Sequence, residues 1–125
     1  TAKGLQKVQP HAETLEQALN KLGEAAMHLG KSAMSEKILD AFAYAYPFMD
    51  VCGDVCMAWM LLWRASIAEK ALEKAKKKDV PFYEGQIKSA QFFCNTVLPT
   101  TLGKIQAILA TDGAAVEIDE ASFIG

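Results

Sequence analysis

The segment Phe48 to Ile67, FMDVCGDVCMAWMLLWRASI, carries both tryptophans, three of the five methionines and two of the three cysteines of the chain. At 100° per residue, Phe48, Val51, Cys52, Val55, Trp59, Leu62 and Trp63 fall on one broad face, and Met57 and Leu61 add apolar mass on the opposite one. Only a narrow strip bearing Asp50, Asp54 and Arg64 suits water or a polar partner. A helix that is apolar nearly all round is a buried helix. The segment therefore reads as the central helix of a bundle, with Trp59 inside and the other segments as its jacket. Gly53 lacks a side chain in the densest part of this helix, so a close helix crossing is expected there, one that Gly53→Leu would overpack.

Composition agrees with that architecture. A chain of 125 residues with 51% hydrophobic content forms one domain able to bury a core. A formal net charge of −2 lacks the basic footprint with which nucleic-acid binders neutralise phosphate, so no nucleic-acid partner is expected. The longest uncharged run near the centre, Val55 to Trp63, falls short of the roughly 20 apolar residues that cross a bilayer, so no membrane partner is expected either. The opening residues show no signal-peptide pattern, and three cysteines cannot all pair internally, which points to a reducing cytoplasm. The chain starts at Thr1 without a methionine, a hint of a larger parent.

Residues 1–9 have no periodicity and read as a linker or fragment edge. The bundle domain is placed at residues 10–113 and a C-terminal tail at 114–125. From Pro10, Leu15, Leu19, Leu22, Ala26 and Leu29 recur at helical spacing, and Gly30 is placed to end the helix. Gly23 inside that helix suggests a close backbone approach. Ser35 is a suitable N-cap for a second helix with Ile38, Leu39, Phe42, Tyr46 and Met49 inward. Pro47 then either kinks one long helix or separates two. Beyond Ile67 the pattern turns charged; lysines up to Lys78, with Glu73 and Lys77 paired four apart, read as a solvated helix end. Asp79 and Pro81 open another helix with the stripe Tyr83, Ile87, Ala90, Cys94 and Val97, widened by Phe93. Pro99 marks a break or kink, and Leu102, Ile105, Ile108 and Leu109 carry a last apolar face to Asp112 and Gly113. Ile118, Phe123 and Ile124 in the tail are candidates to dock on the bundle or on a neighbour. The fold class is all-α: an antiparallel bundle of four or five helices with a short C-terminal tail.

Chemistry-bearing patterns are few. Cys52 and Cys56, four apart in an apolar run, read as small core residues. His11 and His28 stand outside zinc-ligand spacing, so no metal is expected. Asp50 and Asp54, one helical turn apart, have no Glu-x-x-His partner on a facing helix and read as structural carboxylates awaiting a lysine such as Lys88 or Lys104. No GxSxG, phosphate loop or GxGxxG is present. The run His28-Leu29-Gly30-Lys31-Ser32-Ala33 resembles histidine phosphotransfer domains, with His28 as phosphate carrier, and supports an alternative reading as an independent signalling or binding bundle.

A longer resemblance covers about Leu15 to Phe123. Val51-Cys52-Gly53-Asp54-Val55 with Trp59, the run from Phe82 to Phe93, and Val97-Leu98-Pro99 resemble the C-terminal helical extension of bacterial acyl-CoA dehydrogenases of the methylmercaptopropionyl-CoA dehydrogenase type, the acetyl-CoA dehydrogenase C-terminal-like domain. The resemblance implies a parent flavoenzyme whose FAD site and catalytic carboxylate lie upstream of this segment. It implies no catalytic, cofactor-binding or metal residue here. Its partners would be the catalytic body of the parent chain and further copies of the parent. Gly53, Asp54, Trp59, Trp63, Tyr83, Phe93 and Pro99 are then structural candidates.

Overall fold

The computed structural model describes residues 5–124, and 82% of these are helical. Helix α1 (Gln9–Ala33) buries Leu15, Ala18, Ala25 and Leu29, with Leu22 half-buried between them, a spacing that keeps one stripe turned inward. Leu19 and Ala26, expected in that stripe, lie outside it. Gly30 does not stop the helix, which runs one further turn to Ala33. The stretch ahead of α1 sends Val8 fully into the core.

Ser35 shapes a turn rather than capping a helix: its hydroxyl donates to the Ser32 carbonyl and accepts from the Lys37 N–H. The short α2 (Ile38–Ala43) follows, then α3 (Ala45–Leu72). Pro47 lies in the first turn of α3, where a missing N–H has no partner to lose, and so it separates two helices. The expected inner face of α2 is a surface: Ile38, Leu39, Phe42, Tyr46 and Met49 are all exposed. Glu73 and Lys77 fall in the turn region after Leu72, so they are not a helical pair.

Helix α4 (Val80–Phe92) leads through a π-turn, Phe93–Val97, into α5 (Leu98–Ala110). Pro99 offers no N–H to the carbonyl one turn back, and the chain accommodates this by widening into the π-turn directly ahead of it. Helix α5 ends at Thr111, which takes the left-handed conformation (φ 45°), rather than at Gly113. Two short pieces close the chain, α6 (Ala114–Glu117) and a 3₁₀ turn at Glu120–Phe123. In the tail Ile118, Phe123 and Ile124 are exposed, so they are not docked on the bundle.

Cross-links set the topology. The Lys7 N–H bonds Glu69 Oε1 at 2.9 Å, joining the start of α1 to the end of α3. Arg64 bonds Gln86, and Lys104 bonds Asp50, so α3 runs antiparallel to the continuous α4–α5 rod. His28 bonds Thr111, bringing the C-terminal ends of α1 and α5 together. The result is an all-α antiparallel bundle of three long rods with α2 and α6 at one end, matching the fold class read from the sequence. Its core has two parts. One holds Leu15, Val55, Leu62, Ile87 and Leu98; the other holds Leu29, Val51, Ile105 and Ile108.

The jacket is incomplete. A rod in a bundle of three has two neighbours and a free outer face, and the buried line of α3 is Val51, Val55, Ala58, Leu62 and Ala65. Trp59 and Trp63 are rolled off this line and stay about half exposed, at 55% and 54%, which overturns the expectation of a buried Trp59. Gly53 lies on the free face with nothing within 4 Å of where its Cβ would stand, so it is no crossing point inside the bundle; the same holds for Gly23. The small residues turned inward are alanines instead: Ala18, Ala58, Ala65 and Ala90 are each fully buried. Being apolar on both sides also makes α3 long and apolar enough, by length and composition, to cross a membrane, although its inner face packs on the other rods.

Candidate functional site

The carboxylates singled out in the sequence come together with a lysine and a threonine. Lys104, one of the two proposed partners, donates to Asp50 Oδ2 at 2.7 Å and to Asp54 Oδ2 at 3.1 Å. The fully buried Thr101 donates its hydroxyl to the same Asp54 oxygen at 2.8 Å. Hydrogen bonds to Asp50 and then to Asp54 hold the Lys104 ammonium above the usual lysine range. Spacing explains the cluster: Asp50 and Asp54 are one turn apart on α3, and Thr101 and Lys104 are three apart on α5, so the two pairs face across the antiparallel crossing. A carboxylate bridged to a lysine and a buried hydroxyl ties two helices. It is committed to that bond and is poorly placed as a proton acceptor for a substrate.

His28 meets Thr111 through Nε2, and the Thr111 hydroxyl donates to the Ile108 carbonyl. The threonine oxygen thus serves as the acceptor, and Nε2 carries the proton. This bond staples the end of α1 to the end of α5 and supports a threonine in a conformation that costs non-glycine residues about 1 kcal/mol. A phosphate carrier needs a free ring nitrogen facing solvent; a half-buried histidine bonded to a neighbouring helix does not favour the phosphotransfer reading. His11 sits far away in a polar recess of about 440 Å³ with Lys7, Glu84 and Lys88, and burial lowers its pKa.

The cysteines do not converge. Cys94 is buried and Cys56 exposed, with Cys52 between these extremes. Burial first and Cys56 second raise the Cys52 pKa; burial alone pushes Cys94 up to about 11. Among the described residues no group of His, Cys, Asp or Glu could hold a metal ion. Because Cys94 keeps its proton longer in the folded chain than in the unfolded one, its contribution to stability is full below pH 9 and is lost as pH rises towards 11. The raised Lys104 pKa acts in the same direction. Urea unfolding at pH 8 and 10.5 is expected to show lower stability at the higher pH, and a thiol reagent at pH 8 is expected to label Cys56 but spare Cys94 until the chain unfolds.

An open apolar groove of about 660 Å³ lies between α1 and α3, lined by Leu15, Leu19, Trp59, Trp63 and Ile67, with Glu16 and Lys70 among its polar residues. The two indoles stack at 6.1 Å between centroids, inclined by 20°. Ser66 in its wall spends its hydroxyl on the Leu62 carbonyl at 2.8 Å. These residues do not fit FAD: a dinucleotide needs a turn of backbone N–H groups or cations around its pyrophosphate, and this wall is nearly all hydrocarbon. Sequence reading singled out Trp59 and Trp63 as core and so missed the groove; the outward position of Leu19 is the signal that α1 has a second apolar edge. Of the other structural candidates, Tyr83 and Phe93 are half-buried against the core, and Pro99 sits in the first turn of α5.

Comparison with known proteins places this geometry. The family model described as acetyl-CoA dehydrogenase C-terminal like matches residues 1–119. A broad-specificity linear acyl-CoA dehydrogenase, FadE5, of Mycobacterium tuberculosis is 34% identical over 77 residues, which are 61% of this chain and 13% of that enzyme. A butyryl-CoA dehydrogenase of Syntrophomonas wolfei is 29% identical over 76 residues, 61% of this chain and 12% of the enzyme. The chain thus spans only a small part of the curated relatives it matches. With the family model covering almost its whole length, the chain belongs to the acetyl-CoA dehydrogenase C-terminal-like family.

Proposed function

We propose that this chain is a non-catalytic C-terminal accessory domain of an FAD-dependent acyl-CoA dehydrogenase, and that it supports the catalytic body or the oligomer interface of its parent. The match over residues 1–119 carries the proposal. That the relatives are acyl-CoA dehydrogenases supports acyl-CoA as the parent's substrate class and FAD as its cofactor. The division of labour follows from the chemistry. Dehydrogenation beside a thioester needs a base for the α-proton and a flavin to accept hydride from the β-carbon. The flavin would supply the latter in the body. In this domain Asp50 and Asp54 are held by Lys104 and Thr101, and their role is to lock α3 to α5. The contact surface for the body would come from the exposed apolar side chains of α2 and the tail, among them Phe42 and Phe123.

The test compares the full-length parent with a version lacking residues 10–125 of this numbering and with Asp54→Asn. Truncation is expected to lower the melting temperature or the oligomeric state of the parent, while Asp54→Asn leaves turnover per bound flavin unchanged. Stoichiometric FAD on the 125-residue chain, with acyl-CoA-dependent dye reduction that Asp54→Asn abolishes, would overturn the proposal.

A further inference from the structure

The free face of α3 is ordered. Met49, Gly53, Cys56, Met60, Trp63 and Ile67 follow one another at spacings of four and three in strict alternation, and every one is exposed. This is the seam pattern of paired helices, set opposite the core line Val51, Val55, Ala58, Leu62 and Ala65. We infer that the ridge pairs with the same ridge of a second copy, α3 against α3 and antiparallel, about a two-fold axis level with Ala58. The inference goes beyond the accessory-domain reading by naming one self-contact, and its test on the 125-residue chain does not depend on that reading.

The order of residues argues for a second copy rather than another partner. Turned end for end about position 58, Met49 meets Ile67, Cys56 meets Met60, and Gly53 meets Trp63. The position without a side chain faces the largest one, and the space around Gly53 is empty to 4 Å, leaving room for an indole. Helices paired this way set like flanks against each other. On one flank Asp50 then faces Arg64 of the second copy, twice by symmetry, with Met57 against Met57 between them; on the other, Trp59 faces Trp59. A parallel pairing would stack Trp63 on Trp63 and leave Gly53 facing Gly53. A lipid surface would offer Asp50 and Arg64 charges at no fixed register, so it would not account for their placement at matching distances on either side of Met57. Both side chains have bonding capacity to spare: Lys104 takes only Oδ2 of Asp50, and Gln86 takes only Nη2 of Arg64. Two-fold interfaces are of this self-complementary kind.

Disulfide trapping of the 125-residue chain tests the register. With Cys52 and Cys56 replaced by alanine, Met49→Cys and Ile67→Cys are introduced together and singly. The two positions are about 27 Å apart along one helix at 1.5 Å per residue, too far to pair within a chain. Mild oxidation is expected to link the double variant into a covalent dimer while each single variant stays largely unlinked; equal linking of singles and double would mean unregistered association and overturn the inference. Sedimentation of the unmodified chain is expected to show a concentration-dependent dimer, weakened about tenfold by Arg64→Asp and abolished by Trp63→Glu with helicity intact. A chain that stays monomeric through the hundred-micromolar range, whether or not it floats with lipid vesicles, also overturns it.

Discussion

Leu98→Ala is expected to lower the unfolding free energy by about 3–5 kcal/mol, the upper part of the range for leucine truncation in a core. Leu98 is completely buried and opens α5 directly after the π-turn, packed with Val55, Leu62 and Cys94 in the larger core. How much of this is felt depends on whether the surroundings collapse into the space left. Here they are held on both sides: the backbone is fixed by the wide turn before Leu98 and by Pro99 after it, and Thr101 one turn on is tied to Asp54. A cavity therefore persists. For a chain of this size the loss corresponds to a drop of about 10 °C or more in melting temperature. Phe92→Ala, a larger truncation just before the π-turn but at an exposed site, is expected to change stability by less than about 1 kcal/mol. Thermal unfolding by circular dichroism measures both; a shift for Leu98→Ala no greater than for Phe92→Ala would show that the junction of α4 and α5 is not part of the core.

The helical class, the prolines as breaks or kinks and a lysine partner for the aspartates were legible because each follows from a local rule. Pro47, Pro81 and Pro99 all occupy first turns, as a residue without an N–H should. Lys104 was within reach because a half-buried carboxylate pair demands a cation. What periodicity could not decide was which of two apolar faces of α3 points inward. Large side chains attract the reading of core, yet small ones let rods pack closely, and here the inward line took Ala58 and Ala65 and left Trp59 and Trp63 outside. The helix ends went astray for a related reason. Gly30 and Gly113 suit a stop, but a helix stops where its last carbonyls find other partners. Thr111 could serve because His28, distant in sequence, bonds its side chain, and no local signal announces that.

Ala58→Leu and Gly53→Ala are expected to move stability in opposite directions, and the pair distinguishes the inner from the outer face of α3. Ala58 is fully buried in the line that faces the other rods. Leucine there adds three carbons to a space already filled by neighbouring side chains, which forces strained rotamers or a shift of the rods and costs about 1–3 kcal/mol, occasionally more. Gly53 is in mid-helix with nothing within 4 Å of a new Cβ, so alanine meets no neighbour. It removes backbone freedom from the unfolded chain and is expected to stabilise by about 0.5–1 kcal/mol. Urea unfolding should be run at a concentration where the chain is monomeric, since a methyl group at position 53 would also meet an opposing Trp63 in a paired state. Unchanged slopes with separated midpoints, Ala58→Leu below and Gly53→Ala above the parent sequence, are the expected result. Destabilisation by Gly53→Ala under those conditions, with Ala58→Leu neutral, would invert the assignment of the two faces and return the tryptophans to the core.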